Sequence, residues 1–407
     1  MKRKIFFGAT FLVIMFAGCI SSSFPQNDEY IKNESDDTKG SAVFVNENQA
    51  KEKRNSSALS PAATPVLTPE EALVVQKNSE QFFYEEKISS LMSDVAGLKK
   101  AMPTFSSKPT IVCWGDSLTA RGGWTDTLAD LCSGIVYNAG TGGENAKTIM
   151  ARQGADVMTI NHITIPAACE PVTIAVRATD GGILTEAGNR VTPLLQRGDD
   201  HVNPVMIGNI EGSLKWTGKN HADMTGTWTF TRSKPGDEIV IDRPTAIRTF
   251  YDRMHNNANE IMIIFMGQNG NESIESLVNM HRKMIDHFKG KEYIILGLSS
   301  GSKKTRENYE TAMKNAFGRR FISLREYLAT PIFDDEGKIV SCYGLADQGL
   351  EPGVKEYDGK TYVALEEIAA GTVPHQILVD TVHYTSETTT VIGKMLYKKM
   401  RELNILP

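Results

Sequence analysis

A serine, a histidine and an aspartate in this chain have the types and local settings that nucleophilic acyl chemistry needs. The apolar run Ile111-Val112-Cys113-Trp114 stops at Gly115-Asp116-Ser117-Leu118, which reads as a buried strand with Ser117 at its carboxyl end, where open α/β sheets bind ligands. A serine hydroxyl is a weak nucleophile until a base takes its proton and donors receive the oxyanion. Asp380-Thr381-Val382-His383 offers a carboxylate and an imidazole three residues apart, so one short loop presents both. Two candidate donors follow other strand-like runs. One is the Gly143 amide, in the turn Asn138-Ala139-Gly140-Thr141-Gly142-Gly143-Glu144-Asn145 that leads into a helix, a setting that suits developing negative charge but is also an ordinary β-to-α turn. The other is Asn269, directly after the continuous apolar run 261–266. A rival nucleophile is Ser299 in Gly297-Leu298-Ser299-Ser300-Gly301, which fits a G-x-S-x-G elbow. Against it, Lys303 and Lys304 intervene before the next helix, and it leaves the Ser117, Gly143 and Asn269 set unexplained.

The elements that must hold these residues alternate. Helical patterns at 124–131, 146–153, 272–288 and 305–317 are interleaved with strand-like runs at 111–114, 135–137, 261–266, 293–296 and 321–322, which argues for an α/β domain with a doubly wound parallel sheet. A last helix capped by Thr385 or Ser386 runs to about residue 403 and fixes His383 at its start. Residues 341–371 are glycine-rich and acidic and read as irregular, and His375 reads as a surface-loop histidine. Between 154 and 252 helical periodicity is absent; short β-like runs at 172–176, 205–208, 227–231 and 238–241 are separated by turn residues. These read as a small β domain inserted into the α/β domain, dividing it into 104–153 and 253–407. Trp216 and Trp228 in it are candidates for sugar stacking, with burial of at least one the stronger expectation.

The start of the chain speaks to location. Lys2, Arg3 and Lys4 precede an apolar run at 5–16 and then Ala17-Gly18-Cys19, a leader too short to be a comfortable membrane span. Small residues directly before Cys19 resemble a bacterial lipoprotein signal (1–18), in which that thiol is lipidated. Residues 19–66, rich in Ser, Asn, Asp, Glu and Lys, read as a disordered tether. Thr68-Pro69-Glu70-Glu71 opens a helix within 67–103. The formal net charge of −5 excludes a nucleic-acid surface. Four cysteines remain after Cys19, widely spaced, with no CxxC pair and no clustered histidines; neither a metal nor a cofactor is expected.

Four short blocks, Gly115-Asp116-Ser117-Leu118, Asn138 to Asn145, Gly267-Gln268-Asn269 and Asp380-Thr381-Val382-His383, resemble in content and order the blocks of the SGNH (GDSL) hydrolase family. The resemblance implies a flavodoxin-like three-layer α/β/α domain with Ser117 as nucleophile, His383 as base and Asp380 as its orienter. It further implies the Ser117 amide, the Gly143 amide and the Asn269 side chain as oxyanion donors. Gly270 departs from the Asp that commonly follows that asparagine. The function implied is a cofactor-free serine carboxyl-ester hydrolase held to the cell surface by lipid at Cys19. Its favoured substrate is an O-acetyl group on a polysaccharide or peptidoglycan; the alternatives are a lipase-like esterase, an acyltransferase or a non-catalytic surface carbohydrate-binding protein.

Overall fold

The computed structural model describes residues 108–196 and 201–407; the leader with Cys19, the tether and the 67–103 helix lie outside the described residues. Five strands form one sheet: β1 (Thr110–Gly115), β2 (Ile135–Gly140), β3 (Glu260–Phe265), β4 (Glu292–Gly297) and β5 (Phe321–Ser323). They lie in the order β2-β1-β3-β4-β5 with every neighbouring pair parallel. In β1 and β3, flanked on both sides by other strands, Ile111 through Trp114 and Ile261 through Phe265 are all buried. A strand covered on both faces has no polar side to alternate with, which is why these runs are continuously apolar.

Parallel strands need crossovers, and right-handed crossovers decide where the helices go. The step from β1 to β2 and the step from β2 back past β1 to β3 run in opposite directions along the sheet. Their helices α1 (Trp124–Cys132) and α2 (Ala146–Gln153) therefore cover opposite faces. The helices α3 (Ile274–His287) and α4 (Lys303–Phe317) follow crossovers in the same direction as α2, and the contacts run α2 to α3 to α4; the last helix, α5 (Ser386–Glu402), packs on α1. The result is mixed α/β, with a parallel sheet and two groups of packed helices, α2 with α3 and α4, and α1 with α5. Thr385 caps α5, its hydroxyl accepting the Thr388 N–H.

Between α2 and β3 lies a six-stranded antiparallel sheet, in the spatial order Met158–Ile160, Thr245–Arg248, Val205–Ile207, Ile210–Thr217, Thr227–Arg232 and Val172–Val176. It has its own apolar core, in which Trp228 and Phe230 are fully buried. Trp228 is therefore closed to a sugar. Trp216 tilts against it with ring centroids 4.4 Å apart, and the backbones of Gly218 and Gly226 lie against its indole. Residues 341–371, expected to be irregular, are ordered instead. A helix at Tyr343–Ala346 is followed by a hairpin of Val354–Tyr357 with Lys360–Val363 and a helix at Ala364–Ala369. The hairpin closes through Asp358-Gly359, both at positive φ, the two-residue turn that best matches strand twist. All four described cysteines are free thiols.

One close approach joins β2 to the segment that follows β1. A Cβ on Gly140 would lie 2.2 Å from the Ala120 nitrogen and 2.7 Å from the Thr119 carbonyl carbon, backbone atoms of the single-turn helix Ser117–Ala120. Backbone cannot swing aside as a side-chain tip can. Gly140→Ala is therefore expected to lower stability by about 1–3 kcal/mol, read as a drop in thermal midpoint; an unchanged midpoint would mean the turn has room to shift.

Candidate active site

Ser117 sits where β1 ends, as the first residue of the single-turn helix. Asp116 caps that turn with its Oδ1, which accepts the Leu118 N–H at 2.9 Å. Two side chains hold the turn from outside. The Asn138 amide donates to the Thr119 carbonyl at 2.7 Å, and the Trp124 indole N–H donates to the Leu118 carbonyl at 3.0 Å. The backbone around Ser117 is thereby fixed to β2 and to α1, the strand and the long helix that follow it in the chain.

His383 reaches the same point from 266 residues away: its Nε2 is 2.8 Å from Ser117 Oγ. Its Nδ1 is 2.7 Å from Asp380 Oδ2, while the other carboxylate oxygen accepts the N–H groups of Val382 and His383 at 2.8 and 2.7 Å. The Val379 N–H closes the loop onto the His383 carbonyl at 2.8 Å. Partial burial raises the Asp380 carboxyl, but the two backbone donors and the imidazole outweigh it and hold the group below the usual aspartate range. An ionised carboxylate accepting Nδ1–H leaves Nε2 as the acceptor of the serine proton, which is the tautomer a general base requires.

On the other side of Ser117 lies the glycine turn. The backbone of Gly142 faces it, since a Cβ there would be 3.9 Å from Ser117 Cβ. Among the described residues, no acceptor takes the Ser117 or the Gly143 amide hydrogen. Asn269, just past β3, donates one side-chain N–H to the Glu144 carbonyl at 3.1 Å, so its other N–H remains for a ligand. The strands that carry Ser117 and Asn269 are neighbours at the point where strand order reverses, the place where doubly wound sheets open their ligand crevice.

Two further residues belong to this neighbourhood. Gln196, an exposed residue of the inserted segment, donates from Nε2 to the Gly143 carbonyl at 3.3 Å and lies where a Gly143 side chain would project. No sequence signal marks it, because it comes from another part of the chain and its type is common. Ser299, the rival nucleophile, is 4% exposed and has no histidine partner; its Oγ is 2.5 Å from the Tyr384 hydroxyl. Tyr384 follows His383, so this buried contact anchors the histidine loop instead. His375, expected on a surface loop, is half-buried: its Nδ1 hydrogen-bonds to Glu367 and its ring stacks on Tyr362 with centroids 3.5 Å apart. No group of three or more His, Cys, Asp or Glu among the described residues is placed to hold a metal ion.

No protein-family model and no curated protein matches the chain. Among solved structures it is similar to a carbohydrate esterase family 2 enzyme with a carbohydrate binding domain from Corynascus thermopiles (Myceliophthora fergusii). The identity is 11%, the match covers 74% of this chain and 69% of that one, and the TM-score is 0.30. A likeness at that level carries no argument.

Next to Ser117, Asp116 is fully buried and its Oδ2 has no partner among the described residues. Burial pushes its carboxyl up to about 7, against the N–H groups of Leu118 and Gln268 and with a further push from the Glu144 charge. The folded chain therefore keeps a proton that the unfolded chain, with Asp116 at its usual 3.8, has already lost. The stability from this group is complete below that value and is lost as pH rises through about 7, at up to ~1.4 kcal/mol per pH unit between the two. Asp116→Asn keeps the cap acceptor and removes the titration. Thermal melts between about pH 5 and about pH 8 are expected to fall less steeply for Asp116→Asn than for the parent; parallel curves would mean that Asp116 is ionised throughout.

Proposed function

We propose that the chain is a serine carboxyl-ester hydrolase of the SGNH type. The observation that carries this reading is the unbroken chain of contacts from Ser117 Oγ to His383 to Asp380, beside two amides without an acceptor and the Asn269 side chain. Ser117 Oγ attacks the ester carbonyl carbon while His383 Nε2 takes its proton. Asp380 holds the imidazole and stabilises it once charged. The negative charge that develops on the carbonyl oxygen is received by the Ser117 and Gly143 amides and by Asn269. Collapse expels the alcohol, which takes the proton from His383, and leaves an acyl-serine. Water, deprotonated by His383, then releases the acid and restores the serine. The chain's own residues supply every proton transfer.

For the substrate, we infer an O-acetyl ester on a polysaccharide or peptidoglycan. The residues around the oxyanion turn, Gln196, Gln268 and Asn269, are amides, suited to the hydroxyl groups that flank an ester on a sugar. The leader ending at Cys19 supports an extracytoplasmic position held by a lipid anchor, and a surface glycan is the substrate within reach there. Among the described residues no helix is long and apolar enough to cross a membrane.

The test is acetate release by the purified full chain from a chromogenic acetyl ester and then from acetylated glycans. Ser117→Ala is expected to lower kcat by about a thousandfold or more. Asn269→Ala is expected to lower it by ~10²–10³, and Ser299→Ala by less than about tenfold, because Ser299 bears on the histidine loop only through its hydrogen bond to Tyr384. An inert parent, or loss with Ser299→Ala but not with Ser117→Ala, would overturn the assignment.

A further inference from the structure

Arg152 lies in the last turn of α2, is fully buried, and takes no part in the chemistry above. Its guanidinium makes two bonds to the segment that carries the Gly143 amide. Nη2 donates to the Ala139 carbonyl at 2.9 Å, and Nε donates to Glu144 Oε2 at 2.7 Å. Ala139 and Glu144 bracket Gly140, Thr141, Gly142 and Gly143, so one planar cation holds both ends of a glycine-rich stretch that has little stiffness of its own. The second end matters twice. The main-chain carbonyl of Glu144 is the acceptor that orients the Asn269 amide. The guanidinium also lies over the ring of Trp114, 5.5 Å from its centroid, three residues before Ser117 on β1. A single side chain thus touches two of the three segments proposed to supply oxyanion donors, and is linked to the third, that of Asn269, through Glu144.

The pair is a poor stability device. Burial raises the Glu144 carboxyl despite the adjacent Arg152 charge. Glu144 Oε1 and Arg152 Nη1 are buried without partners among the described residues. Buried ion pairs of this kind are often replaceable by apolar side chains without loss of stability, so their placement calls for another account.

We propose that Arg152, acting through Glu144 and the Ala139 carbonyl, is a positioning residue for the oxyanion: it sets the glycine turn and the Asn269 amide so that their N–H groups converge. This rests on the ester-hydrolase reading and deepens it. Interactions realised only in the transition state appear in kcat, whereas uniform binding appears in KM. Loss of the clamp therefore lowers kcat and leaves KM nearly unchanged.

The experiment compares the full-length parent with Arg152→Lys and with the double variant Arg152→Met/Glu144→Leu, which replaces the pair with apolar side chains. Acetyl-ester kinetics, thermal midpoint and the affinity of phenylboronic acid, whose tetrahedral serine adduct places an oxygen among the donors, are measured on each. A double variant that melts near the parent is expected to lose ~10²-fold in kcat, with KM within about threefold and boronate affinity reduced in parallel. Arg152→Lys, which keeps the charge but cannot reach both acceptors with a rigid fork, is expected to lose about tenfold, and it decides the matter if the double variant fails to fold. A folded variant with parental kcat and boronate affinity overturns the positioning role alone. An inert parent overturns the ester-hydrolase reading and this inference with it.

Discussion

The hydrogen bond between Ser117 and His383 joins two residues that the chain separates by 266 positions, and most of the architecture serves to make that meeting reproducible. A base within hydrogen-bond reach of its nucleophile tolerates little drift, since misplacement of about 1 Å can cost ~10²-fold in rate. One partner stands just past the end of β1, the strand buried between β2 and β3. The other stands on a loop bounded by the capped start of α5, by the Tyr384–Ser299 contact and by the turn bond from Val379 to His383. The second boundary ties that loop to residues just beyond β4, and α5 packs on α1. Both partners are thus referred to the same sheet.

What the sequence makes legible follows from how local the physics is. The runs at 111–114 and 261–266 read as buried strands because a strand covered on both faces shows no alternation, and they lie in β1 and around β3. Asp380 and His383 can be paired by eye because they lie three positions apart and an Asx-type turn folds such a segment back on itself. Ser117, Gly143 and Asn269 are picked out by type and by position after strands, and the structure brings all three to one edge of the sheet. Ser299 shows the limit of such reading. Its G-x-S-x-G surroundings fit a nucleophile, yet it lies buried against a tyrosine 85 residues away, and no local pattern reports that. Gln196 and Arg152 are illegible for the same reason, because their partners are set by tertiary contact.

The segment 341–371 carries a signal that its texture hides. Its acidic, glycine-rich texture resembles a loop, but Asp358-Gly359 is a hairpin signal in its own right, and the flanking residues pair in register from Val354 with Val363 to Tyr357 with Lys360. Lys355 of this hairpin hydrogen-bonds to the Leu378 carbonyl, two residues before Asp380. Glu367, in the helix that follows, holds His375, five residues before Asp380. The segment is a buttress for the approach to the histidine loop.

The inserted sheet is threaded in an economical way. The chain enters through Met158–Ile160 and leaves through Thr245–Arg248, and these two strands are paired neighbours, so from the viewpoint of the parallel sheet the whole excursion begins and ends about 5 Å apart. Such a graft leaves the host's strand order intact whatever its length. It also reaches the candidate site at Gln196, whose side chain donates to the carbonyl of Gly143. Chain length, loop composition and surface of the graft are therefore free to diverge while the strands that carry Ser117 and Asn269 stay fixed, and the surroundings of the Gly143 turn can be altered from a part of the molecule that lies outside the parallel sheet.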